Sequence, residues 1–175
     1  KLINNNSLLL IKYMIANDFY SFSGDCYVND LQKYVKNVRK GDKFGDVEIL
    51  CVIKTEWNGQ GMCEFGDGFI TMNHPIFNDD ECIYAKTIFD VDMVDTNDID
   101  YVYNFVLNKK HVLKVNDIDC LTFGFDGEYF EHNFFGNRIK FMNCIKFLPG
   151  FHRGLIRLSS QHIKYKNDEI YLFEF

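Results

Sequence analysis

An all-β fold is what this sequence predicts, from three observations. Short apolar runs recur from Tyr34 to Phe123, turn signals rich in Gly, Asn and Asp separate them, and helical spacing shows only at two places near the ends. A chain of 175 residues fits one domain with a sizeable core. With 47% hydrophobic residues, 17% aromatics and only 2 Pro, disorder is excluded. A formal charge of −6 argues against nucleic acid as partner, since phosphate recognition needs clustered Lys and Arg. No apolar run reaches the roughly 18 residues of a membrane-spanning helix, so no membrane segment is expected. The chain begins at Lys1 rather than Met, and we expect it to be a piece of something longer.

Taken in order, Leu8, Ile11, Ile15 and Phe19 are close to helical spacing, with Ser7 as a cap and Asn17-Asp18 as a stop. This helix reads as packed on the domain or as the tail of an upstream one. Tyr34 to Val38 reads as a strand leading into the Lys40-Gly41-Asp42 turn, and Val47 to Ile53 as a buried strand. Asn58-Gly59-Gln60-Gly61 predicts a hairpin turn. Gly68 to Thr71, Ile83 to Phe89, Tyr101 to Leu107, Val112 to Val115 and Ile118 to Phe123 continue the series, with tight turns at Asn108-Lys109-Lys110 and Asn116-Asp117. Ile139, Met142, Ile145 and Leu148 recur every third residue and predict a short helix over 139–148, stopped by Pro149-Gly150. His162 to Lys166 and Glu169 to Phe175 predict a closing hairpin with Tyr171 and Phe173 on one face and Leu172 on the other.

None of the six cysteines stands at C-x-x-C spacing, so zinc knuckles and thioredoxin-type motifs are excluded. Most lie in apolar runs, as Cys51 does in Ile49-Leu50-Cys51-Val52-Ile53, where a reduced thiol is a small core hydrophobe. Unpaired thiols favour a reducing, cytoplasmic compartment. Cys26 differs, because it follows the polar turn sequence Ser23-Gly24-Asp25. The acidic stretch Asp90 to Asp100 lacks the Gly and terminal Glu of a calcium loop and reads as solvated surface.

Three places carry chemistry-bearing side chains: Cys26, the block Thr71-Met72-Asn73-His74-Pro75 at a strand end, and His111 after a turn. A thiol with two imidazoles is what nucleophilic acyl transfer uses. The thiol attacks a carbonyl, imidazole moves the protons, and small polar groups hold the oxyanion or the amide.

The order of these residues resembles the Hint superfamily of hedgehog autoprocessing domains and inteins, and is most similar to the Vint subgroup found beside von Willebrand A domains. Residues 26–158 carry the resemblance. Cys26-Tyr27-Val28 is similar to the Hint start and Val38 to Phe44 to the "I-x-x-G-D-x-V" element that follows it. Cys51-Val52-Ile53-Lys54-Thr55 is similar to a Vint run, and Ile70 to Ile76 to the T-x-x-H block with its trailing Pro. Val102-Tyr103-Asn104-Phe105, His111 and Val115 to Cys120 resemble the "VYN…H…VNGxxC" segment. Phe134 to Asn137 and Leu148 to Leu155 resemble the Vint tail.

The resemblance implies a flat, horseshoe-like all-β disc with two pseudo-symmetric halves and both helices at its rim. Residues 1–25 would form an N-terminal flank, 26–158 the Hint domain, and 159–175 a β-hairpin packed on it. It also implies self-processing in a single turnover, with no metal and no organic cofactor. Cys26 would attack the carbonyl of Asp25 and turn the Asp25-Cys26 amide into a thioester, with His74 protonating the amide nitrogen, Thr71 at the strained bond and His111 assisting later. Water, a thiol or another nucleophile would then release the covalently attached upstream part, a von Willebrand A-type domain being one candidate.

The pattern departs from the family in two respects. Leu121-Thr122 stands where a splicing intein has its terminal His-Asn, and His132-Asn133 is followed by Phe134, so N-terminal cleavage without splicing is expected. The stretch after Cys26 is shorter than the usual "C-F-x-x-x-T-x-V" start, with Asn29-Asp30 where a Gly-Asp-Thr type segment is expected. The alternative is a Hint fold that has lost its chemistry and serves as a protein-interaction module. A cysteine hydrolase acting in trans would need an open cleft, for which the sequence gives no sign.

Overall fold

A computed structural model describes residues 20–57, 59, 61–92, 98–127 and 136–158, and the backbone of 163–166 and 169–172. The helix expected over 7–20, the His132-Asn133 dipeptide, the middle of the acidic stretch and the side chains of the closing hairpin lie outside the described residues.

In chain order the strands are β1 (Phe22–Ser23), β2 (Tyr27–Val28), β3 (Lys33–Tyr34), β4 (Lys43–Phe44), β5 (Val47–Glu56), β6 (Met62–Phe65), β7 (Gly68–Thr71), β8 (Pro75–Asn78), β9 (Glu81–Tyr84), β10 (Val91–Asp92), β11 (Tyr101–Leu107), β12 (Val112–Val115) and β13 (Ile118–Leu121). Helix α1 (Arg138–Ile145), β14 (Leu155–Leu158), β15 (Ile163–Lys166) and β16 (Glu169–Leu172) follow. The all-β expectation holds. One sheet runs β10-β6-β7-β1-β11-β5-β14 with β4 on β5, and a second runs β3-β2-β12-β13-β8-β9. Pairing is antiparallel except for β14 on β5, and β15 pairs with β16 as an antiparallel hairpin.

β5 is the longest strand because it serves two cores. Cys51 and Ile53 face one core with Phe141, Cys144, Ile145 and Leu148 of the α1 region, whereas Val47, Ile49 and Val52 face the other. Strict alternation would put residues 47, 49, 51 and 53 on one side. The register against β11 steps from Val106↔Cys51 to Leu107↔Ile49, so one extra residue of β5 bulges out and exchanges the faces.

α1 and the turn after it bury Ile145 and Leu148 and pack Met142 against the same core, as the three-residue spacing predicted, but the face is shifted at its start. Phe141, Cys144, Ile145 and Leu148 are buried and Ile139 is 76% exposed, because spacing of three and four residues tracks the helix better than a constant three. Asn137 caps its start, with Oδ1 accepting from Lys140 N at 2.9 Å.

Several expected strands are shorter than their apolar runs. After β3 the chain makes a 3-10 turn over Val35–Asn37, which lets Val35 and Val38 both reach zero exposure. Strand geometry would have sent residues three apart to opposite faces. After β9 a 3-10 turn over Ala85–Thr87 replaces the strand expected as far as Phe89. The strands flanking 58–61 are no hairpin either, since β6 pairs with β7 and β10 while β5 pairs with β11, β14 and β4. Likewise Asn108-Lys109-Lys110 carries the chain from β11 in one sheet to β12 in the other. Asn116-Asp117 is a true two-residue hairpin, with φ of 44° and 66° and Val115 opposite Ile118.

β1 is central to the larger sheet, between β7 and β11, and Phe22 is completely buried. β1 precedes residue 26, where the domain boundary was expected, yet shares a sheet with strands that follow it; residues 20–23 are buried, Gly24 is half-buried and Asp25 is exposed.

Candidate functional site

Register places three strands around one residue. Phe22 of β1 opposes Ile70 on one side and Tyr103 on the other. One step back along an antiparallel ladder, Ser21 must therefore lie beside Thr71 and Asn104. The hydrogen bonds agree. Ser21 N donates to Thr71 Oγ1 at 3.0 Å, Thr71 N donates to the Ser21 carbonyl at 3.0 Å, and Asn104 Nδ2 donates to the carbonyl of Tyr20. The Tyr20–Ser21 peptide is thus gripped on both its nitrogen and its oxygen, at two residues only 6% and 5% exposed.

The T-x-x-H block explains how His74 arrives at the same place. His74 N donates to the Thr71 carbonyl at 2.9 Å, closing a turn that leads from β7 to β8 in the other sheet. The His74 ring is completely buried, 4.4 Å from the Phe22 ring and 5.8 Å from the Tyr20 ring, the two residues on either side of Ser21. Nε2 lies 2.8 Å from the carbonyl of Leu121, which can only accept, so Nε2 carries the proton. Nδ1 has no hydrogen-bond partner and presents a bare lone pair. Burial lowers the ring's pKa to about 4, against the opposing pull of the Leu121 and Ser21 backbones, so the imidazole is neutral at pH 7.

Cys26 is placed differently. It has zero exposure, and its thiol donates to the Phe69 carbonyl at 3.3 Å with Ser23 Oγ at 3.8 Å. Burial pushes its pKa up to about 12, with Ser23 and the Phe69 carbonyl pulling the other way. Gly68 is essential to this fit. A Cβ there would stand 2.8 Å from both N and Sγ of Cys26 and 2.7 Å from Ser23 Oγ. The preceding Asp25 carboxylate faces outward and pairs with Lys36 Nζ at 2.7 Å. Among the described residues, neither Thr71 nor His74 makes a hydrogen bond or ring contact with Cys26 or Asp25.

His111 stands apart from both. It sits in a left-handed conformation with φ of 53°, and its carbonyl accepts from Thr122 N at 2.9 Å. Arg138 Nη1 lies 3.0 Å from its Nε2 and 3.2 Å from its Nδ1. Burial first, then the Arg138 charge, lower its pKa to about 4, so this ring is also neutral. No described hydrogen bond or ring contact joins it to Ser21, Thr71 or His74.

Of the four side chains singled out in the sequence, the fold therefore brings Thr71 and His74 together, with Cys26 and His111 elsewhere. Ser21 and Asn104 were not among them. Ser21 to Val28 nevertheless reads S-F-S-G-D-C-Y-V, which fits the "C-F-x-x-x-T-x-V" start five residues ahead of Cys26, with Ser21 in the Cys place and Gly24-Asp25-Cys26 in the Gly-Asp-Thr place. Among the described residues no three His, Cys, Asp or Glu side chains converge as metal ligands, and no helix is long and apolar enough to cross a membrane.

No curated protein matches the chain. A family does: the sequence matches Vint, a Hint-domain family, over residues 21–170, beginning at the residue that Thr71 holds. With that match covering most of its length and an all-β fold to go with it, the chain belongs to the Vint family of Hint domains.

Proposed function

We propose that this domain processes its own chain at the Tyr20–Ser21 peptide bond, with Ser21 as the nucleophile. Ser21 Oγ attacks the Tyr20 carbonyl carbon. A C–O bond forms, the carbonyl π pair moves onto oxygen, and the Oγ proton passes to the bare Nδ1 of His74. As the tetrahedral species collapses, the C–N bond breaks and that proton reaches the Ser21 nitrogen. The products are an ester between Tyr20 and Ser21 Oγ and a free amine on Ser21. Water or another nucleophile then takes the acyl group and releases the covalently attached upstream segment, whose end would be Tyr20.

An amide is more stable than an ester, so the shift runs uphill. At neutral pH the freed amine, with an ordinary α-amino pKa of about 7.7–8.0, takes up a proton and favours the ester side. A serine hydroxyl is a poor nucleophile without an adjacent base. A neutral imidazole with an unoccupied nitrogen, buried beside Ser21, suits that task. The six cysteines, none of them in a disulfide, fit a reducing compartment.

The double hold of Thr71 on the Ser21 backbone carries this reading, because it puts the T-x-x-H pair on the Tyr20–Ser21 bond. The resemblance implied the Asp25-Cys26 bond and a thioester instead. Cys26 stands second here, since its thiol is protonated, bonded to Phe69 and without a base beside it.

Intact mass spectrometry of the fresh chain, with hydroxylamine or with dithiothreitol, separates these readings. We expect hydroxylamine to split the native chain and Cys26→Ala between residues 20 and 21 and to leave Ser21→Ala whole. Dithiothreitol should add little, because an ester resists thiols better than a thioester does. A product beginning at Cys26, lost in Cys26→Ala, would overturn the Ser21 assignment in favour of Cys26. A native chain that stays whole would leave a Hint fold serving as a protein-interaction module.

A further inference from the structure

We infer that Asn104 is the electrophilic group of this site, binding the oxygen of Tyr20 as it becomes an oxyanion. The inference rests on the cleavage proposed above and adds to it a residue outside the T-x-x-H block.

Asn104 is out of character with its surroundings. It lies within β11, where Val102, Phe105, Val106 and Leu107 are all essentially buried, and is itself 1% exposed. A carboxamide in such a row costs stability unless its polar atoms are satisfied. Both ends are. Oδ1 accepts from the Phe105 backbone N at 2.6 Å, and Nδ2 donates to the Tyr20 carbonyl. The two contacts fix which end is which, since a flipped amide would set oxygen against oxygen at Tyr20 and N–H against N–H at Phe105. The donor is therefore aimed at the carbonyl by the strand that carries it.

The position is also chemically apt. The Thr71 hydroxyl engages the leaving nitrogen of Ser21, and it is the Asn104 amide that engages the Tyr20 oxygen. When Ser21 Oγ adds to the carbonyl carbon, the π pair moves to that oxygen, and a full negative charge forms in a nearly dry environment. A preorganised N–H there strengthens as the charge develops, and removing one such donor typically costs about 100- to 1,000-fold in rate. On collapse the charge returns to the carbon–oxygen double bond and the C–N bond breaks, so Asn104 gains and loses no proton.

The test uses the whole chain, with the rate of hydroxylamine-driven release of residues 1–20 as readout and thermal unfolding as a check on the fold. Asn104→Leu keeps shape and removes the donor. Asn104→Asp keeps shape and replaces the donor by a carboxylate, which repels an oxyanion until it is protonated. We expect both to fold and to cleave about 100- to 1,000-fold more slowly than the native chain at pH 7. Asn104→Asp alone should recover rate as the pH falls through its carboxyl pKa, a response that a merely structural tether would not give. Folded Asn104→Leu and Asn104→Asp chains that cleave within a few-fold of the native rate would overturn the inference and leave Ser21 in place. A native chain that stays whole, or cleavage that survives Ser21→Ala, would overturn the underlying reading and this inference with it.

Discussion

Thr71 holds Ser21 by both ends of its backbone, taking its N–H on Oγ1 and giving its own N–H to its carbonyl, each at 3.0 Å. The first of these bonds is a side-chain device and the second is sheet pairing continued one step beyond β1. Only the first can be removed by substitution, and it is the one that fixes the nitrogen of the bond proposed to break.

Thr71→Val deletes that acceptor and leaves a buried N–H unpaired. The expected cost is about 1–3 kcal/mol of stability, read from the urea midpoint at unchanged m-value. Cleavage between residues 20 and 21 should fall steeply in the same variant. Thr71→Ser retains the oxygen and should keep both properties near native. Equal cleavage by Thr71→Val and Thr71→Ser would show that the hydroxyl has no part in the reaction.

His74 and His111 together predict loss of stability in mild acid. Each imidazole titrates at about 4 in the folded chain against an ordinary 6.5, because burial disfavours the charged ring. Between those values the unfolded chain binds more protons than the folded one, so stability rises with pH there. It is complete above about 6.5 and is lost progressively toward about 4. His111→Asn, which tolerates the left-handed backbone at that position, should shallow the slope without abolishing it, because His74 remains. Urea midpoints measured from pH 7 to pH 4.5 check this, and parallel slopes for native chain and variant would count against it.

Gly68→Ala tests the close approach between β7 and the turn carrying Cys26. The added methyl would stand 2.8 Å from a backbone nitrogen and from the Cys26 sulfur, and 2.7 Å from Ser23 Oγ, which itself accepts from Phe69 N at 2.8 Å. Overpacking of this kind costs about 1–3 kcal/mol. Pairing it with Cys26→Ala should recover part of the loss and not all of it, since the backbone clash persists. A fully additive double variant in denaturant titration would contradict the geometry.

Much of the fold was legible, because β7, β11, β12 and α1 each carry their own periodicity and turn residues. Pairing was not. Neighbours in sequence such as β5 and β6, or β11 and β12, part company across the sheets, and nothing local reports that. Thr71 and His74 were legible as a block because a single turn joins them. Ser21 was obscured by chemistry, since a thiol outranks a hydroxyl as a nucleophile and Cys26 stands five residues further on. Asn104 was legible only as part of the Val102-Tyr103-Asn104-Phe105 run and not as a site residue, since it is one polar residue inside a strand whose partner on β1 is only two residues long.

The buried cysteines predict loss of stability under alkali. Burial holds the Cys26 and Cys51 thiols up at about 12 and Cys82 at about 11, from an ordinary value of 9, and raises Cys63 and Cys120 as well. Above pH 9 the unfolded chain therefore releases thiol protons that the folded chain retains. Stability is whole below about pH 9 and declines as the pH climbs toward the folded values, the opposite sign to the histidine effect. The same protonation makes the thiols slow nucleophiles in the native state. Iodoacetamide at pH 8 should label Cys26 only after denaturation, followed residue by residue in peptide mass spectra. Rapid native labelling of Cys26 would mean a thiolate is accessible there, and would restore it as a rival to Ser21 for the acyl shift.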